Sequence, residues 1–318
     1  MRIPILLLAA TSCSGCLDPS EPGNLVPKTV AEDPSLPAVE LNGLRFHAET
    51  FGDPANPVIV FLHGGPGVDY RSLLRLTPLA DRYYLVFFDQ RGTGLSQRVD
   101  ADQITMDSYN ADLDAVIDHY APGRTVTLVG HSWGGMLASQ YLGVHPERVD
   151  GAVLLEPGPL TGTKFSELKS EIVGIDLGSE WANDFIWSQR FLSQTDHARL
   201  DYAPQIAFHN SQPGFHMNAS DPEPRWRLGT VAQRALLKSG SPNGVPNWDF
   251  GTPAHAFTGP VQIVASGNDT VLGVTLQTEQ MQFYQHATLT VIPDVGHDFP
   301  YQRADDTMAA IRTTMEAL

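Results

Sequence analysis

Thr125-Val126-Thr127-Leu128-Val129-Gly130-His131-Ser132-Trp133-Gly134 runs from an apolar strand through a tight turn towards Met136-Leu137-Ala138-Ser139-Gln140-Tyr141-Leu142, a helix-forming stretch with an apolar face. A serine between glycines at such a junction has the pattern of a nucleophile elbow. The sharp turn strains the backbone at the serine, and small residues two places before and after it let strand and helix approach. The pentapeptide alone recurs by chance in many chains. The strand before it and the helix behind it give it weight. Ser132 is the candidate nucleophile; the competing reading is a structural turn.

Outward from this junction, strands and helices alternate. Val58–Leu62, Tyr83–Phe88, Val126–Val129, Val149–Leu155, Val261–Ala265 and Leu289–Ile292 are near-continuous apolar runs, as expected of strands covered on both faces. Leu44–Thr50 alternates with period two and reads as an antiparallel edge hairpin strand. Helical stretches fall near residues 70–80, 107–120, 133–144 and 303–317. The pattern predicts an α/β fold whose mostly parallel central sheet carries helices on both faces. Residues 160–257 break the rhythm: they are rich in tryptophan and proline, with helical patterns and no clear strand. They read as a helical lid inserted into a core formed by residues 39–159 and 258–318, of the kind that shapes a pocket and excludes water. A separate domain is the alternative, opposed by the strand that resumes at Val261.

A serine hydroxyl needs a base to take its proton, and the base needs a third group to orient it. His297 follows the strand ending at Ile292, and Asp269 follows the strand ending at Ala265. These are the candidate base and acid, with Glu156, at the end of the strand Val149–Leu155, as the rival acid. An oxyanion formed by attack needs donors. The backbone N–H of Trp133 is one, and the loop His63-Gly64-Gly65-Pro66-Gly67 supplies the other, at Gly65 first and Gly64 second, because glycines let main chain approach substrate. Asp294 and Asp298 read as shaping the histidine loop, His63 and His131 as holding loops, and His145 as ending a helix. No histidine pair has zinc-ligand spacing beside an acidic partner, so neither metal nor other cofactor is expected.

At 318 residues, 42% hydrophobic and 18% charged, the chain can build a sizeable core. A formal net charge of −16 argues against nucleic acid as a partner. Both cysteines, Cys13 and Cys16, lie near the start, after Met1-Arg2 and the apolar stretch Ile3–Ala10. Residues 1–16 read as an export signal of lipoprotein type, with lipid attachment at Cys16 or Cys13 and plain secretion as the alternative. Membrane anchoring through that lipid, outside the cytoplasm of a bacterium, is the expectation. Pro19, Pro22, Pro27, Pro34 and Pro37 make residues 17–38 an extended tether.

His63–Gly67, Asp89-Gln90-Arg91-Gly92-Thr93-Gly94-Leu95-Ser96 and Gly130–Gly135, with the order Ser132, Asp269, His297, together resemble the prolyl aminopeptidase (proline iminopeptidase) branch of the α/β-hydrolase superfamily. The resemblance covers roughly residues 42–158 and 259–300. It implies the α/β-hydrolase fold with a helical lid, and release of an N-terminal residue from small peptides through an acyl-enzyme. The Asp89–Ser96 segment is expected to hold a loop beneath the site, with Asp89 and Arg91 paired locally. Grip on a free ammonium group would need lid carboxylates, for which the chain offers Glu167, Glu171, Glu180 and Asp184. Here the chain departs from the family: His131 stands where the elbow usually has glycine, and Trp187 is followed by Ser188 and not glutamate. An esterase, lactonase or amidase acting on a small acyl substrate is therefore the alternative. A non-catalytic scaffold is a remote one. Epoxide hydrolases and haloalkane dehalogenases share the fold but carry aspartate at the elbow.

Overall fold

The computed structural model describes residues 26–172, 197–202 and 223–318. Eight strands form one sheet: β1 (Ala38–Leu41), β2 (Leu44–Phe51), β3 (Val58–Leu62), β4 (Tyr84–Phe88), β5 (Val126–His131), β6 (Val149–Leu155), β7 (Val261–Ser266) and β8 (Ala287–Ile292). Their order across the sheet is β1-β2-β4-β3-β5-β6-β7-β8. β1 and β2 are antiparallel to their neighbours, and the strands from β4 through β8 pair in parallel. Every residue of β3 and β4 is buried, which is why those strands read as unbroken apolar runs. β1, only four residues long and half exposed, takes the edge position expected of β2 and blunts it.

Helices α1 (Met106–Tyr120), α2 (Trp133–Val144), α3 (Gly162–Ile172), α4 (Thr230–Ser239), α5 (Val274–Gln280) and α6 (Ala304–Met315) follow in chain order; α1, α2, α5 and α6 pack against the sheet, and α3 and α4 belong to the insertion between β6 and β7. The stretch expected to be helical near 70–80 is a 3₁₀ segment, Arg71–Asp81, with Pro78 inside it. The core divides between the two sheet faces. Phe46, Val60, Leu128 and Tyr141 belong to one cluster; Phe61, Phe87, Leu155 and Phe299 belong to the other.

The described parts of the β6–β7 insertion hold helices and loops, with one isolated bridge between Thr161 and Asp249 that brings its two ends together. Its return is bolted to the core. Asp69, just after the His63–Gly67 loop, accepts hydrogen bonds from the backbone N–H groups of Trp226 (2.6 Å) and Arg227 (3.0 Å).

Two sequence expectations change here. Residues 26–37 are not a free tether: Val26, Thr29 and Val30 are buried, Val30 donates to Leu95 O, and Arg227 donates to Pro27 O (2.8 Å). The scattered apolar residues between the prolines, few as they are, suffice to dock the segment. Arg91 pairs not with Asp89 but with Asp112 of α1, through Nε (2.7 Å) and Nη2 (2.6 Å). Asp89 instead bonds His47 Nδ1 (2.8 Å) and the backbone N–H groups of Tyr70 and Leu95. A buried carboxylate needs several donors, and the loop around it supplies them. Residues 1–25, with the expected signal and both cysteines, lie outside the described residues.

Candidate active site

Ser132 sits between β5 and α2 with φ 53° and ψ −115°, a left-handed conformation costly for a residue with a side chain. Close packing holds it there. A Cβ on Gly134 would drive into the Leu62 carbonyl, so helix and neighbouring strand can meet only at glycine. The His63–Gly67 loop folds back onto the elbow: a Cβ on Gly64 would come 3.3 Å from that of Ser132. Gly65 has φ +121°, which glycine adopts freely.

His297 is buried beside the elbow. His131 Nε2 donates to the backbone oxygen of His297 (3.1 Å), and the two rings lie 4.7 Å apart. Burial, then the charge of His297, pushes His131 down to about 3, so it stays neutral. The hydrogen bond expected from Asp269 is made by Glu156, whose Oε2 lies 2.7 Å from His297 Nδ1. Asp269 Oδ2 stands 3.9 Å from the same nitrogen, and its Oδ1 accepts from the N–H groups of Val271 (2.7 Å) and Leu272 (2.8 Å). The reason is local. Glu156 leaves β6 with φ 47° and is fully buried, its other oxygen held by Ser266 N and Oγ, each at 2.7 Å. Burial opposes charge on His297, but the hydrogen bond and charge of Glu156, with Asp269 and Asp298, raise it to about 9. Ligand atoms of Glu156, Asp269 and His297 lie within 4.8 Å of one another. A metal would have to compete with the direct Glu156–His297 bond for the ring nitrogen.

Gln90 was not singled out in the sequence. Its Nε2 donates to His63 O (3.0 Å), and its Oε1 accepts from Trp133 Nε1 (3.0 Å). One carboxamide thus ties the glycine loop to the residue after Ser132. His63 completes the brace: Nδ1 donates to Gly64 O (2.9 Å), while Nε2 accepts from Gln90 N (3.0 Å). Gln90 lies in the Asp89–Ser96 segment, which was expected to hold a loop beneath the site, but no role was given to this side chain.

Ser132, Gly65 and Trp133 line one cavity of about 360 Å³, whose walls include Met136, Trp248 and Phe250. As the first residue of α2, Trp133 has a backbone N–H without an intrahelical acceptor. Glu167 is exposed on α3, pairs with Lys164 (3.5 Å) and is not among the described residues that line this cavity. Glu171 lies on α3, while Glu180 and Asp184 fall outside the described residues.

A family model described as alpha/beta hydrolase fold matches residues 57–304. The chain belongs to that family. Human epoxide hydrolase 4 is 28% identical over 286 residues, covering 85% of this chain and 77% of that protein. Proline iminopeptidase of Neisseria meningitidis is 37% identical over 112 residues, covering 35% of this chain and 36% of that protein. The chain spans less than half the length of several of the curated relatives it matches. Proline iminopeptidase of Mycobacterium smegmatis superposes with a TM-score of 0.62 at 18% identity, covering 88% of this chain and 97% of that one. At that identity the likeness is one of fold.

Proposed function

We propose that this α/β hydrolase is a serine hydrolase working through an acyl-enzyme on Ser132. The observation that carries the reading is the strained Ser132, open to a cavity, beside an imidazole whose far nitrogen is bonded to buried Glu156. In this reading Ser132 Oγ attacks the acyl carbon and its proton passes to His297, which hands it to the leaving group. Water then repeats the steps, and the acid is released. Glu156 orients the imidazole and stabilises its charged form, with Asp269 as a second, more distant anion. Backbone N–H groups of Gly65 and Trp133 stabilise the oxyanion. Epoxide opening by a carboxylate at the elbow is disfavoured, because the elbow residue is serine.

Release of an N-terminal residue remains a second reading, favoured by His63–Gly67 and Asp89–Ser96 and by similarity to proline iminopeptidases. Treatment with an alkyl fluorophosphonate tests the proposal. Labelling confined to Ser132, and lost in Ser132→Ala, is the expected result; an unlabelled protein would indicate a scaffold.

A further inference from the structure

A backbone donor at Gly65 has to stay where the oxyanion forms, yet its own loop brings little to hold it. Gly64, Gly65 and Gly67 carry no side chain, and Gly65 and Gly67 have φ +121° and +102°. His63 and Gln90 brace the first residues of this loop. Its far end is fastened to a distant part of the chain, the return of the β6–β7 insertion. Gly67 O accepts from Gly229 N (2.7 Å), and Asp69 Oδ2 accepts from the N–H groups of Trp226 (2.6 Å) and Arg227 (3.0 Å). Arg71 Nη1 adds a bond to Arg225 O (3.0 Å).

The two segments fit closely. A Cβ on Gly67 would come within 3.0 Å of Gly229 O, and one on Gly229 within 2.4 Å of Gly92 O. The return segment thus lies against the glycine loop and the Asp89–Ser96 loop at once. Arg227 is also fixed from its side chain, by Asp201 (2.9 Å) and Pro27 O (2.8 Å).

Asp69 makes the tie between loop and support. It is 1% exposed, and its Oδ1 accepts from Arg71 N (3.0 Å), so both oxygens are taken up by main chain. Burial, then the charge of Asp89, pushes this carboxyl up to about 7. A group whose charge is disfavoured serves here through its acceptor oxygens. Two backbone N–H groups converging on one oxygen fix the loop without calling on any side chain of the insertion.

Resting on the serine-hydrolase reading, we propose that Asp69 is a positioning residue for the oxyanion donor: it holds the glycine loop against the insertion's return and so keeps Gly65 N–H aimed at the oxyanion formed on Ser132. A donor that slips from that aim is lost in the transition state and not in binding.

The test uses the full chain, an alkyl fluorophosphonate and its counterpart with P=S in place of P=O. Ser132 Oγ bonds to phosphorus, fluoride leaves, and the serine proton passes to His297, while negative charge grows on the phosphoryl oxygen. Sulfur is larger than oxygen and a weaker acceptor, so the P=O to P=S ratio of limiting labelling rates reports how well the donors fit. That ratio does not depend on how much of a preparation is folded. Asp69→Ala should lower the limiting P=O rate about tenfold to a hundredfold, leave KI within about twofold, and cut the ratio by about fivefold or more. Asp69→Asn keeps an acceptor for Trp226 and Arg227, and should stay within about threefold of the unaltered chain in rate and ratio. An unchanged ratio in Asp69→Ala would overturn the inference and leave Asp69 a stabilising residue only. An Asp69→Asn variant as impaired as Asp69→Ala would overturn it too, by assigning the effect to the charge. If the unaltered chain is labelled at Ser132, either of those results removes only the role of Asp69. If it is not labelled, the hydrolase reading falls and this inference with it.

Discussion

His297 Nδ1 lies 2.7 Å from Glu156 and 3.9 Å from Asp269, so the two carboxylates do not share it equally. Glu156→Gln should lower kcat on the order of a thousandfold, because the amide can hold the wrong tautomer. Asp269→Asn should cost about tenfold, the equivalent of roughly one pKa unit of lost charge stabilisation. Steady-state kinetics on one ester would rank them; the reverse order would return the orienting role to Asp269. With His297 raised to about 9, the neutral base is scarce at pH 7, so kcat/KM should climb through the alkaline range. Removing the Glu156 charge takes away what favours the imidazolium, so residual activity in Glu156→Gln should rise at lower pH. Gln90→Leu should reduce kcat by about tenfold to a hundredfold with little change in KM, since the lost bonds align donors used in the transition state. An unchanged kcat would make Gln90 a packing residue only.

At the scale of elements, the junction of β5 and α2 depends on backbone meeting backbone. Gly134→Ala would push a methyl into the Leu62 carbonyl on β3, displacing the glycine loop that follows that strand. The expected result is an inactive protein, destabilised by about 2–3 kcal/mol as in other overpacked sites; chemical denaturation would measure it. These elements were legible from the chain because buried parallel strands are written as apolar runs. β3 and β6 keep the expected bounds, and α2 begins and ends where its apolar face does. β1 was not legible: four residues, half exposed, carry too little pattern to separate an edge strand from a loop.

Across the whole molecule, one buried ionic cluster joins three distant parts of the chain. Asp201 accepts from Arg98 Nε (3.1 Å), Arg227 Nε (2.9 Å) and Thr230 N (2.9 Å). Arg227 also reaches Pro27 O (2.8 Å) and Glu32 (3.4 Å) in the N-terminal segment. Asp201→Ala would leave two buried guanidinium groups without their shared anion, and a loss of about 3–5 kcal/mol is expected in urea unfolding. Removal of residues 1–37 should cost about 2–4 kcal/mol, chiefly from burial of Val26 and Val30. Thermal melts of the shortened and full chains would check it; equal midpoints would restore the tether.

The chain order alone carried the α/β alternation, the elbow at Ser132, the glycine loop and the histidine after β8, because each is a local pattern of polarity, turn residues and spacing. It favoured Asp269 over Glu156 as the partner of His297, whereas the direct hydrogen bond comes from Glu156. Both end parallel strands, and which carboxylate reaches His297 depends on the φ of 47° at Glu156 and on the bonds from Ser266 that fix its other oxygen. Gln90 as a brace, and the docking of residues 26–37 on Arg227, were likewise decided only in three dimensions. Hydrogen bonds between residues tens to hundreds of positions apart leave no periodic trace in the sequence, and only the packed sheet brings their ends together.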